Sequence, residues 1–442
     1  MWRTKNGATK PTDRLPIASS LGLRSIGTEQ SRDKPVDNIE QRTPWRIRYD
    51  LEKSSEEHLN PGQRSIAALL AATVVNLPFG TLYAFSVFLK PMEVLLGATR
   101  AEMSFVFGLA TVTLTLGMNF APQLYRRLSP AWLAVACGLL SGAGLWLSAT
   151  ASSFLHFALG YGVLFGPGAG VLFIVGQQAV NQTVGGARGL ANGYVVSLYP
   201  LGAMLGAPVF GWSIQAFGVR PTLAGLGVVV LATCAIAAAL LRAAAIQMLD
   251  ASATEVEEDR LGRTFYLLTA VFFLAAAAGL TVLSQAAAIV QAYGGVAALA
   301  VGATTLITGA VGAARIAGGW LVDHFAAARV GVGAHACSLA GALMLSLIPT
   351  PATAAFALGL IGVGYGIVSG LAAGAIAQYW HKNQFGRIAS RLYIAWCAAA
   401  ISLPVLAGAL FDRTGSYASA IWVAAGVNVL GVLIARLLPV RK

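Results

Sequence analysis

The sequence predicts an all-α integral membrane protein whose twelve transmembrane helices form two six-helix bundles. Three observations predict it. Apolar runs long enough to cross a bilayer, about 20 residues each, recur along the chain; charge is confined to the links between them; and one polar link divides them into two sets of six. Of the 442 residues 57% are hydrophobic and only 11% charged, with a mean hydropathy of +0.70. A water-soluble chain of this length carries far more surface charge, whereas 50 glycines among so much Ala, Leu and Val suit helices packed closely in lipid.

Taken in order, residues 1–64 are polar, hold five prolines and show no sustained apolar periodicity, so they are expected to form a disordered cytoplasmic arm. No apolar h-region or cleavage site marks a secretory signal there. Apolar segments then fall at 66–90, 102–125, 131–150, 154–180, 189–217 and 221–242, within a first bundle of residues 65–243. A charged cytoplasmic linker, 244–262, follows, with an acidic run at Glu255, Glu257, Glu258 and Asp259. The second bundle, 263–442 including a short cytoplasmic tail, holds segments 263–292, 296–322, 331–349, 352–380, 386–411 and 417–437. The halves echo each other: Gly160-Tyr161-Gly162 followed by Gly166 matches Gly364-Tyr365-Gly366 followed by Gly370, and Pro208 has a counterpart in Pro404. Repeats in the same sense are one of the designs used by membrane carriers.

Basic residues set the expected orientation. With the arm inside, the inward links and tail carry thirteen Lys and Arg against four outside, which places both termini in the cytoplasm. A bacterial inner membrane is the expected location. The net charge of +12 therefore serves topology, and nucleic-acid binding is excluded. Cys137, Cys234, Cys337 and Cys397 lie in apolar stretches without CxxC spacing, so neither a disulfide framework nor a zinc site is expected. No HExxH, GxSxG or pair of buried acids supports an enzyme, and no cofactor is expected.

Charge in the bilayer core is costly, so an ionisable residue there is a functional candidate. Every Asp and Glu falls in the arm, in a link or near a helix end; among the basic residues only Arg315 lies deep. It stands eight residues before Asp323, about 12 Å into a core about 30 Å thick. Arginine cannot shed its proton and needs an acceptor. A substrate carboxylate, held by paired hydrogen bonds from the guanidinium, is one answer; backbone carbonyls or helix ends are the other. Mid-helix Tyr83, Gln177, Tyr199, Tyr365, Tyr393 and Trp396 are candidates to complete a shaped, fairly dry site. His156, near the outer end of its segment, reads as the deepest-placed histidine. With no buried carboxylate to relay protons, anion exchange or uptake of a substrate that brings its own proton fits best. Gly166-Pro167-Gly168 and Tyr199-Pro200 mark places where helices bend or approach closely.

These residues carry a family resemblance. The chain, over about residues 66–437, resembles the major facilitator superfamily, within it the oxalate/formate antiporter family, and more distantly the monocarboxylate transporters. Tyr83-Ala84-Phe85-Ser86-Val87-Phe88 with Pro91 is similar to the family's first-helix pattern, and Arg188-Gly189-Leu190-Ala191-x-Gly193 to its fifth-helix opening. Gly312-x-x-Arg315-x-x-x-Gly319-Trp320-Leu321-x-Asp323 resembles the eighth-helix stretch, and Phe385-Gly386-Arg387, Ala395-Trp396 and Pro404 the eleventh. The resemblance implies that Arg315 binds substrate. Oxalate-exchanging members add a lysine where this chain has Trp396, which points here to a monocarboxylate. It also implies gating at Asp323, Arg126, Arg127, Arg188 and Arg387. The first-half signature keeps the Arg126–Arg127 pair without its usual Asp, so gating contacts there are expected to differ.

The resulting expectation is a secondary active transporter for a small organic anion, a monocarboxylate, working by alternating access and functional as a monomer. Arg315 would be the substrate's counter-charge. The alternative is a transport-inactive membrane sensor or assembly partner that keeps the carrier fold, for which the long arm and degraded first-half link argue.

Overall fold

The computed structural model describes residues 59–246, 248 and 262–439. The first 58 residues of the expected arm and most of the acidic linker lie outside the described residues. Among those described, twelve helices are long and apolar enough to cross a membrane. In the first half they are α1 (Pro61–Ala84), α2 (Glu102–Leu124), α3 (Pro130–Ala149), α4 (Phe154–Thr183), α5 (Arg188–Phe217) and α6 (Val219–Ala243). In the second they are α7 (Arg263–Val282), α8 (Gly302–His324), α9 (Ala327–Leu347), α10 (Pro351–Tyr379), α11 (Lys382–Phe411) and α12 (Ala418–Ala435).

Local chemistry accounts for several helix starts. Asn60 accepts from the Gln63 N–H while the Gln63 side chain accepts from the Asn60 N–H, with Pro61 at the first helical position. That capping box starts α1 at Pro61, three residues before Arg64, the expected end of the arm. Thr99 and Glu102 form the same box at α2, and Ser129 before Pro130 and Thr350 before Pro351 cap α3 and α10. The first apolar segment is not one straight helix. Pro78 removes an N–H near its end, the chain tightens into a 3₁₀ turn over Thr81–Ala84, and a short helix, Ser86–Leu96, continues it.

The two Gly-Tyr-Gly stretches occupy matching places. Gly160 sits in an eight-residue π-helical stretch of α4, Ala158–Phe165, where an added Cβ would lie 2.6 Å from the Gly144 carbonyl oxygen of α3. Gly364 lets α10 approach the Ala334 carbonyl and Ser338 of α9. Each tyrosine has gone its own way. Tyr161 joins an aromatic cluster with Phe85, Phe157 and Phe165, whereas Tyr365 faces Arg315.

Within the first half α3 packs on α6 and α2 on α4; within the second α9 packs on α10 and α12, and α7 on α11. Between halves, α5 packs against α8 and α10, and α2 against α11. Glycines make the α5–α8–α10 seam tight. A Cβ at Gly319 would run into the Gly189 carbonyl, and one at Gly370 into the carbonyl of Arg315. This seam brings Arg315 to the plane where the halves meet.

Candidate functional site

Arg315 is 3% exposed, and no Asp or Glu is buried among the described residues. Its guanidinium reaches both halves. Nη1 donates to the Val196 carbonyl of α5 at 2.7 Å, and Nη2 donates to the Tyr365 hydroxyl oxygen of α10 at 2.9 Å. The Tyr365 ring also lies beneath the guanidinium, 5.3 Å from centroid to Cζ. Of the two alternatives that the sequence left open, the backbone one is present: a carbonyl anchors Arg315, and the anchor uses only part of a five-donor group. Nε has no acceptor among the described residues.

Tyr365 is the hub of this arrangement. Its oxygen accepts from Arg315 and, at 3.0 Å, from the Trp396 indole Nε1. With both lone pairs engaged, its own O–H is left to donate. The cavity here is lined by Tyr83, Leu114, Met118, Phe173, Tyr199, Arg315, Tyr365, Ser369, Tyr393 and Trp396, and it admits a water centre over only about 10 Å³, about the space of one water molecule.

Six of the seven binding candidates therefore meet around one cavity. The seventh, Gln177, stands behind it: fully buried, its amide lies 3.5 Å from the Tyr393 hydroxyl. Tyr199 donates its hydroxyl to the Ala169 carbonyl at 3.2 Å, so it presents mainly its ring. Tyr83 of α1 stacks on Trp396 of α11 at 6.2 Å, an aromatic contact between halves. Leu114, Met118, Phe173 and Ser369 were missed; apolar and small residues at mid-helix carry no sequence signal that separates a cavity wall from lipid-facing packing.

An even number of spans puts the start of α1 and the end of α12 on one face, the termini face. The halves are bonded together there. Both Asp323 carboxylate oxygens accept backbone N–H groups across the interface, from Gly189 at 2.9 Å and Leu190 at 2.8 Å. The reason is local: the N-cap of α5 is Ala187, in the left-handed region at φ 48° and without a side-chain acceptor, so its exposed N–H groups and positive dipole end are completed by the other half. The α11 start is handled likewise. Gln178 of α4 accepts from Gly386 N–H at 2.8 Å and donates to the Lys382 carbonyl at 3.0 Å. Asn119 of α2 adds a bond to the Ser390 carbonyl at 3.1 Å.

The start of α11 is thus met by a neutral amide of α4. Gln178 was missed because its partner is 208 residues away. The basic gate candidates are placed differently from Asp323. Arg188 caps its own neighbourhood, with Nε 3.4 Å from the Val184 carbonyl, and Arg126, Arg127 and Arg387 are exposed on the termini face.

One reading is corrected. His156 is half-buried near a helix start, while His335, eight residues into α9, is fully buried and is the deeper histidine. Its Nδ1 lies 3.0 Å from Asn428 Oδ1 of α12, and Gly431 makes room for its ring. Since an amide oxygen only accepts, Nδ1 carries the proton. Its position within a 21-residue helix was the available signal. His335 is not among the residues lining the Arg315 cavity.

Comparisons with known proteins follow this geometry. A family profile, Major Facilitator Superfamily, matches residues 66–401. The chain is 24% identical over 336 residues to the uncharacterized MFS-type transporter YhjX of Escherichia coli K12, covering 74% of this chain and 84% of that one. It is 25% identical over 397 residues to mouse monocarboxylate transporter 11, covering 85% and 87%. Among solved structures it is similar to the proton:xylose symporter XylE bound to 6-bromo-6-deoxy-D-glucose, with a TM-score of 0.69 at 14% identity, covering 87% of this chain and 98% of that one.

Proposed function

The chain belongs to the major facilitator superfamily, and on that premise we propose that it is a secondary transporter carrying a small monocarboxylate by alternating access. One observation carries the choice of substrate. Arg315 is a permanent cation buried at the plane between the halves, with no buried carboxylate among the described residues to neutralise it. Its unpaired Nε and the Tyr365 O–H supply donors to an acceptor-only ligand such as a carboxylate. A single cation, with Trp396 bonded to the same tyrosine oxygen, favours one carboxylate over two. The full names of YhjX and monocarboxylate transporter 11 accord with transport, and the latter with this substrate class.

The positive-inside pattern puts the termini face in the cytoplasm of a bacterial cell. The bonds of Asp323 and Gln178 then seal the cytoplasmic side, and a ligand reaches Arg315 from outside. Rocking of the halves would break these bonds and expose the same site inward. Binding strengthens in the dry interior because the guanidinium and carboxylate neutralise each other there.

Uptake of labelled monocarboxylates into proteoliposomes tests the proposal. We expect saturable uptake by the wild type and at least a hundredfold loss in Arg315→Gln, the scale of a buried charge left unpaired, about 3–5 kcal/mol. Intact uptake in Arg315→Gln would overturn the role of Arg315; no uptake across the panel would favour the non-transporting sensor.

A further inference from the structure

In an α-helix the carbonyl of residue i accepts the N–H of residue i+4. Proline has no N–H. Pro200 lies inside α5, four residues after Val196, so the Val196 carbonyl has no helical donor at i+4. An unsatisfied carbonyl at membrane depth is costly. Here the donor is Arg315 Nη1, at 2.7 Å, from the other half of the protein. The approach is close because Gly193, one turn earlier, faces the same helix: a Cβ there would lie 2.6 Å from the Arg315 carbonyl oxygen. The proline at Tyr199-Pro200 thus has a chemical consequence: it leaves a backbone acceptor for Arg315, the one arginine buried among the described residues.

We propose that Pro200 is a positioning residue that creates an inter-half strut, Val196 C=O to Arg315, and so puts the counter-charge inside the equilibrium between the two access states. The proposal rests on the alternating-access reading but not on the identity of the anion. With the termini face closed, the strut is made. Rocking α5 away from α8 separates its ends and leaves a cation and a carbonyl in the interior together. An anion on Arg315 neutralises the first of these, so the loaded carrier loses less on reorienting than the empty one. Coupling of substrate to movement then resides in one bond, strengthened because Pro200 leaves the Val196 carbonyl no competing donor from its own helix.

The experiment uses the full chain in liposomes, with reporter pairs across each face reading the ratio of closed to open termini face without added anion. Pro200→Ala supplies the missing N–H, returns Val196 to its own helix and so weakens the bond to Arg315 by competition for its carbonyl. We expect the ratio to fall about tenfold, the effect of losing a hydrogen bond to a charged group. Pro208→Ala is the control: it makes the same chemical change in α5 but serves the Met204 carbonyl, and should shift the ratio less than about twofold. If Pro200→Ala does not fold, Pro200→Gly supplies the same N–H in a helix free to bend.

A double-mutant cycle separates the strut from simple straightening of the helix. In an Arg315→Gln background, Pro200→Ala should have no further effect. A ratio unchanged by both Pro200 variants, or a shift that persists at full size without Arg315, would overturn the proposal. Because the readout needs no substrate, a shift found together with failed uptake would leave the strut standing while refuting the monocarboxylate.

Discussion

Tyr365 shows how the site works at the scale of single residues. Its oxygen takes hydrogen bonds from Arg315 and Trp396, and its proton is left for whatever enters the cavity. Trp396 therefore does more than fill the place where a second cation would stand; its indole orients the tyrosine that meets the guanidinium. Replacing it should change selectivity. Trp396→Lys places a second positive charge beside Arg315, and competition assays should show dicarboxylates gaining at least about tenfold over monocarboxylates, one charge-assisted hydrogen bond. No change in that ratio would mean that position 396 does not meet the substrate. The residue types around the cavity were readable in advance, since buried hydroxyls and a buried arginine are conspicuous in apolar segments. The partner of the Val196 carbonyl was not, because Pro200 frees that carbonyl but only the tertiary structure decides which helix crosses it.

At the scale of elements, the two halves close by one device with different chemistry. The start of α5 has no side-chain cap of its own, nor does the α-helical part of α11 that begins at Phe385, and each is completed by a residue of the opposite half. A carboxylate at a helix N-terminus gains from the dipole, about 0.3–1 kcal/mol and up to ~2 when partly buried; a neutral amide gains less. Asp323→Asn should therefore open the termini face several-fold, and Gln178→Leu, which can neither accept from Gly386 nor donate to Lys382, should open it as well. Accessibility of a cysteine placed beside Gly386 would read both; a termini face unchanged in either variant would refute the capping account. Asp323 stood out in the sequence as a charged residue at a helix end. Gln178 did not, because nothing local distinguishes an amide that caps a distant helix from one that packs.

At the scale of the whole molecule, twelve spans and the basic links make orientation a measurable property. Impermeant thiol reagents applied to intact cells should fail to label a cysteine placed at exposed Arg127 or Arg387, and should label both once the membrane is opened. Labelling from outside would invert the access argument, turning the closed cytoplasmic face into a closed outer one.

The sequence by itself determined the span count and singled out Arg315 as a charge inside an apolar segment, because lipid allows few ways to satisfy a backbone and makes every such charge conspicuous. It misjudged His335 and the start of α1, where position within a helix and a capping box decide. Only the tertiary structure decided what Arg315 holds in the absence of a ligand, which residues cap α5 and α11, and how small the cavity is. Those answers depend on contacts between segments more than 100 residues apart, and periodicity within one helix carries no information about which face of another it will meet.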